Sequence, residues 1–259
     1  MKILLIRFAC LLAVFPASTT LAQDAATTYP AKTIRMVVPF APGGGLDIIT
    51  RSYAPGLGNA LGQPVVVENQ PANAGIIALG NVARAAPDGY TLLLGGPAIM
   101  TANPHLYAKM PFDVVRDFAP VTKFANVPNV LAAHPAFPAR NVQELIDYAK
   151  ANPNKINWAS SGIGTGGHLA IESFQMRTKT RVTHVSFKGA GPALNDLAGG
   201  QFEVYFGTVV STLPVVRTGR ARVIGLTSLK RIEAAPDLPD HDLPRYTILA
   251  PLYKEAAVL

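Results

Sequence analysis

Apolar positions along the chain fall into short β-branched runs separated by stretches of helical period. Residues 33–39 (TIRMVVP) predict a strand, and 46–61 a helix that Pro55, Gly56 and Gly58 are expected to kink or end early. Residues 65–67 predict a second strand. Residues 74–85 predict a second helix, closed by the turn Pro87-Asp88-Gly89, and 91–94 a third strand. Two short apolar runs between 119 and 134 are split by Pro128. Asn141 with Glu144 forms a capping box. Val142, Leu145, Ile146 and Ala149 then fall at i, i+3, i+4 and i+7, one face of a helix. Strands are expected at 156–159, 182–187, 204–207 and 223–227. A helix is expected at 165–176, and a shorter one opened by Pro192 and ended by Gly199-Gly200. Tyr205 and Phe206 read as sheet core rather than as rings stacked on a ligand. The repeated β-α-β order predicts an α/β fold with mostly parallel sheets.

The first 22 residues stand apart from this pattern. Lys2 and Arg7 precede an apolar stretch over 8–17, and Thr20-Leu21-Ala22 offers a small-x-small cleavage site before Gln23, the order of a secretory signal peptide. Cys10, the one cysteine of the chain, sits too early in that stretch to be a lipoprotein cysteine and is expected to leave with it. Removing Lys2 and Arg7, with no acid lost, takes the formal charge from +7 to +5. The body has no Lys/Arg cluster of the kind that marks a nucleic-acid face. It also has no apolar run near the ~20 residues a spanning helix needs, so no stable membrane insertion is expected. A chain exported to the periplasm would not meet nicotinamide cofactors or ATP, and no cofactor is expected.

Candidate chemistry concentrates in two glycine-rich turns. The first, Pro39-Phe40-Ala41-Pro42-Gly43-Gly44-Gly45-Leu46-Asp47, follows the first strand and opens a helix; the second, residues 160–168 (SSGIGTGGH), does the same in the second half. A helix N-terminus offers unpaired N–H groups and the positive end of the macrodipole, and glycines let an anion approach the backbone. Gly162, Gly164 and Gly167 also fit a dinucleotide fingerprint. That reading requires an acid about 20 residues on, and 173–195 contains none. The sequence has no nucleophile elbow, no phosphate-binding lysine loop and no clustered metal ligands. Its five histidines, His105, His134, His168, His184 and His241, are widely spaced. Asp47 reads either as a site residue or as a first-turn carboxylate paired with Arg51 at i+4. His168 reads as a helix-start side chain or as a solute or interlobe contact, and Lys188 as a solvated charge or an anion-steering one.

In order and spacing, the segments YPAKTIRMVVPFAPGGGLDIITR, LGQPVVVENQPANAG, APDGYTLLLGG, DFAPVTKFANVPNVLAAHP, NWASSGIGTGGHLA and FKGAGPALNDLAGGQ resemble the Bug-type extracytoplasmic solute-binding receptors of tripartite tricarboxylate transporters. The resemblance runs from Tyr29 to about Leu238. It implies a two-lobed type II periplasmic-binding-protein fold, with lobe one over 23–125, lobe two over 126–228, and a return toward lobe one over 229–259. It also implies that a small carboxylate binds between the lobes. Carried over by position, Phe40, Ala41, Gly43, Gly44, Gly45 and Asp47 would line the cleft from lobe one; Ser161, Gly164, Thr165, Gly166, His168 and Lys188 would do so from lobe two. Two departures stand out. Gly207 occupies a position where many members carry an aspartate. Residues 240–259 do not resemble the family's continuation, so lobe one is expected to be cut short, with an exposed apolar face and marginal stability.

These readings combine into an expected function: periplasmic capture of a small organic carboxylate and its delivery to a membrane permease, with no enzymatic step. The alternatives are a carboxylate sensor for a signalling partner, a small-carboxylate hydrolase or lyase, and a truncated receptor without function.

Overall fold

The computed structural model describes residues 29–96 and 98–227. The expected signal peptide and the divergent tail lie outside them. Among the described residues the chain builds two sheets, one in each lobe.

In the first lobe, β1 (Ile34–Val38) is flanked by β2 (Val65–Asn69) and β3 (Thr91–Leu93), in the order β2-β1-β3 and all parallel. As the central strand, β1 buries Ile34, Met36, Val37 and Val38 and leaves only Arg35 exposed. Arg35 holds Glu68 with two bonds of 2.7 Å. Helix α1 (Gly45–Leu61) follows β1, and α2 (Ile76–Ala83) follows β2. Helix α1 does not break where expected: it runs through Pro55 and ends on left-handed Gly62. Pro55 is on the exposed face, so the carbonyl it leaves unpaired is open to water. A π-helical turn (Ala98–Ala102) leads into the short α3 (Asn103–Leu106), neither of them marked by the sequence pattern.

The second sheet has the order β6-β5-β7-β4-β8, formed by β4 (Asn129–Ala133), β5 (Asn157–Ser160), β6 (Thr183–Ser186), β7 (Val204–Thr208) and β8 (Arg222–Leu226). It is mixed, not parallel throughout: β4 runs antiparallel to both β7 and β8. Strand β4 enters from the irregular connection over 119–128 and not from a crossover helix, so nothing forces it to run with its neighbours. Strand alternation sends side chains to two cores. Leu131, Trp158 and Phe206 face α4 (Val142–Ala151) and α5 (Gly166–Thr178). Ala132, Ala159 and Tyr205 face α6 (Ala190–Ala198), with Val215 and Val216 of α7 (Val209–Arg217). Helices on both faces give a three-layer lobe. Helix α7 is unforeseen in the sequence pattern. Its β-branched first turn is held by Ser211 and Thr212, whose hydroxyls donate back to the Thr208 carbonyl.

Helix α4 forms as its capping box predicts. Glu144 N–H donates to Asn141 Oδ1 at 2.9 Å, and the Glu144 carboxylate accepts from the Arg140 N–H and Asn141 Nδ2. Its four periodic residues are all buried. Asn141→Ala is therefore expected to lower unfolding stability by about 1 kcal/mol, read as a lower denaturant midpoint at unchanged slope.

Candidate functional site at the interlobe contact

Strand order places helix N-termini together. Strands β6, β5 and β7 are adjacent and parallel, so α6, α5 and α7, which follow them, all begin at the same edge of the sheet. The turn before α1 in lobe one packs against that edge. A Cβ added to Gly45 would collide with Thr208, the residue ahead of α7, at its Oγ1, Cγ2 and Cβ. One on Gly189, ahead of α6, would lie 2.9 Å from Ala41 Cβ. One on Gly164, ahead of α5, would lie 2.9 Å from Asn103 Oδ1 and 3.3 Å from Leu106, both of lobe one. The lobes thus meet where four helices point their positive ends, each carrying roughly half a unit charge.

Each glycine-rich turn is pinned by the side chain four residues on. The N–H of left-handed Gly43 donates to Asp47 Oδ2 at 2.9 Å, and that of left-handed Gly164 to His168 Nδ1 at 3.1 Å. Asp47 is buried, and its Oδ1 also accepts from Arg51 Nε at 2.8 Å and Asn69 Nδ2 at 2.9 Å. Asn69 Nδ2 further donates to the Phe40 carbonyl, tying β2 to the turn. Asp47 therefore serves the turn and carries the first-turn pairing with Arg51 that its spacing suggests. His168 can accept at Nδ1 only in a neutral tautomer protonated at Nε2. No side chain caps α1, whereas in α5 the Thr165 hydroxyl accepts from the His168 N–H at 3.4 Å; the other first-turn N–H groups have no carbonyl partner within their own helix. Thr165 is the N-cap of α5, and its hydroxyl donates to the Gly162 carbonyl at 2.6 Å. The Ser161 carbonyl accepts from the Gly189 N–H at 3.0 Å, joining the α5 and α6 turns. Gly44 and Gly45 are buried at the start of α1, Gly166 opens α5, and Lys188 is exposed on the loop before α6.

Sequence patterning missed several groups here. Thr208, Asn103 and Asn69 carry no local motif and reach the site only through topology. Asn103 is fully buried, donates from Nδ2 to the Ala74 carbonyl, and leaves Oδ1 without a partner among the described residues. His184 was visible only as an isolated histidine. Its ring stacks on His168 at 4.4 Å between centroids, and its Nε2 lies 2.8 Å from Ser160 Oγ. Burial, and secondarily the charge of His168, pulls its pKa from 6.5 down to about 4. No described group of three or more His, Cys, Asp or Glu could hold a metal ion.

Two predictions follow from this geometry. Gly45→Ala must push Thr208 away and hold the lobes apart, since the helical site imposes no backbone strain; small-angle scattering should show a larger radius of gyration than the wild type under the same conditions. The second concerns pH. Between pH 6.5 and about 4 the unfolded chain binds a proton at residue 184 that the folded chain refuses. Stability from His184 is complete above pH 6.5 and is lost as pH falls toward 4. Solvent screening of this half-buried ring reduces its size. Thermal midpoints should fall over that range, and more steeply in the wild type than in His184→Gln.

Residues 49–242 match the family described as Tripartite tricarboxylate transporter family receptor. BugT of Bordetella pertussis is 35% identical over 235 residues, covering 90% of this chain and 72% of that one. The solved structure of R. palustris Rpa4515 with adipate superposes with a TM-score of 0.78 at 34% identity, covering 82% of this chain and 71% of that one. MatC from Rhodopseudomonas palustris with bound malate gives 0.75 at 32% identity, covering 82% and 72%. The chain spans about two thirds of the length of the curated relatives it matches. The likeness confirms the expected two-lobed solute-binding fold, and the family is one of receptors, not of enzymes. The chain belongs to the Bug-type receptors of the tripartite tricarboxylate transporter family.

Proposed function

We propose that the chain is a periplasmic receptor that binds a small dicarboxylate between its lobes and presents the closed form to the membrane permease of a tripartite transporter. The observation that carries this reading is the convergence of four helix N-termini, one from lobe one and three from lobe two, at a contact made by backbone and small side chains. Such an arrangement favours an anion without a cationic side chain. Because the two lobes supply different parts, a bound anion stabilises the closed arrangement over the open one. Phe40, Ala41, Gly43 to Gly45, Ser161 and Gly164 to Gly166 form the walls. Asp47, Thr165 and His168 hold the turns in shape, and Lys188 at the rim attracts the solute. The adipate and malate in the two solved relatives are carboxylates of the size this reading calls for.

Binding is checked by thermal shift and calorimetry with succinate, malate, adipate and citrate. A ligand present at 100 times its Kd adds about 2.7 kcal/mol of stability. A folded sample that shifts with none of them refutes the reading, and release of a chemically altered acid would favour an enzyme. Deleting the gene should abolish uptake of the bound acid by intact cells, whereas a sensor of the same acid would leave uptake in place.

A further inference from the structure

The buried phenol of Tyr205 is unused by anything described so far. Tyr205 is 0% exposed on β7, and its hydroxyl has no hydrogen-bond partner among the described residues. Its ring packs among Ala132, Ala159 and Ala193 and then leans along the strand toward the carboxyl end. A Cβ on Gly207, two residues further on the same face, would collide with the Tyr205 hydroxyl and ring. Gly207 is thus the clearance that lets the phenol pass over the backbone and reach the end of the sheet. The hydroxyls of Ser161, in the α5 turn, and Ser211, in α7, are close enough to interact with it, but neither meets hydrogen-bond geometry. Ser211 Oγ is 2.7 Å from Thr208 Oγ1, and Thr208 is the residue pressed on Gly45 of lobe one. The orphan hydroxyl is thus linked to the interlobe contact through Ser211 and Thr208.

An unpaired buried hydroxyl is costly, and the cost disappears if an acceptor enters. Burial raises the pKa of this phenol, so it remains a neutral donor at all physiological pH. The helix N-termini around it favour a negatively charged acceptor. We propose that Tyr205 is a specificity-determining ligand contact: its hydroxyl donates to a carboxylate oxygen of the bound solute, and Gly207 is glycine so that it can. This rests on the receptor reading above and adds the group that fixes one end of the solute. The contact fixes one end of the solute through a carboxylate that malate, adipate and aspartate all carry.

The test is calorimetry on the full chain with malate, adipate and aspartate, comparing the wild type with Tyr205→Phe and Gly207→Ala. The phenylalanine keeps the ring and removes only the orphan atom, so the variant should fold with an equal or higher thermal midpoint. Its Kd for the carboxylate that the wild type binds should rise about tenfold or more, as loss of a hydrogen bond to a charged group implies. Gly207→Ala should weaken binding as well, with Tyr205 still present but displaced. An unchanged Kd in Tyr205→Phe for every probe the wild type binds overturns the proposal, however tightly the wild type binds. Binding of no probe by the folded wild type overturns the receptor reading and this one with it.

Discussion

The approach of Gly45 to Thr208 is closer than any Cβ would permit, and the way the two lobes meet depends on it. One side contributes bare helix backbone, the other a small β-branched side chain. The pairs Gly189 with Ala41 and Gly164 with Asn103 repeat the device at two further points. Larger residues at these positions would separate the helix N-termini by the width of a side chain, and the combined field of four dipoles falls off within about one helical turn. The glycines therefore do more than permit tight turns. They set how closely the helix starts of the two lobes approach.

That requirement explains the pinning of the turns. A glycine-rich loop is conformationally free, and freedom costs binding energy when it must be lost. Asp47 and His168 remove it in the folded protein by capturing the N–H of Gly43 and Gly164. The two solutions differ in chemistry. Asp47 is a carboxylate paired with the Arg51 cation and hydrogen-bonded by the Asn69 amide. His168 does the same work as a neutral ring, supported by its stack on His184.

Much of this was legible in the sequence, because it rests on local rules. The runs of β-branched residues marked the strands, Asn141 and Glu144 marked α4, and the glycines after two strands marked the helix starts. The rest depends on who lies beside whom. Strand β4 runs antiparallel because of where its chain comes from, which no residue in it records. Helix α7 hides behind Val209, Val210 and Pro214, residues of poor helix propensity that tertiary burial overrides. Asp47 looked like an i, i+4 partner of Arg51, and it is one, but its bonds to Gly43 and Asn69 need the turn to fold back over the helix. Thr208 and Asn103 reach the interlobe contact, and Tyr205 comes near it, only through strand order and lobe packing.

Gly207 joins these two kinds of information. Read alone it was a departure from the resemblance, the loss of a side chain at the end of a strand. Beside Tyr205 it is an exchange, because the space a residue at 207 would occupy is filled by a phenol rooted two positions earlier on the same face. Charge changes with it: an acid there would compete with an anion for the same helix N-termini, whereas a phenol held neutral by burial carries no charge to compete and has a proton to donate. The exchange leaves the helix starts unchanged and alters what stands at the end of β7. On the proposed receptor reading, in which the walls of the site are mostly backbone, the end of β7 is one of the few places where side chains can set the choice of solute.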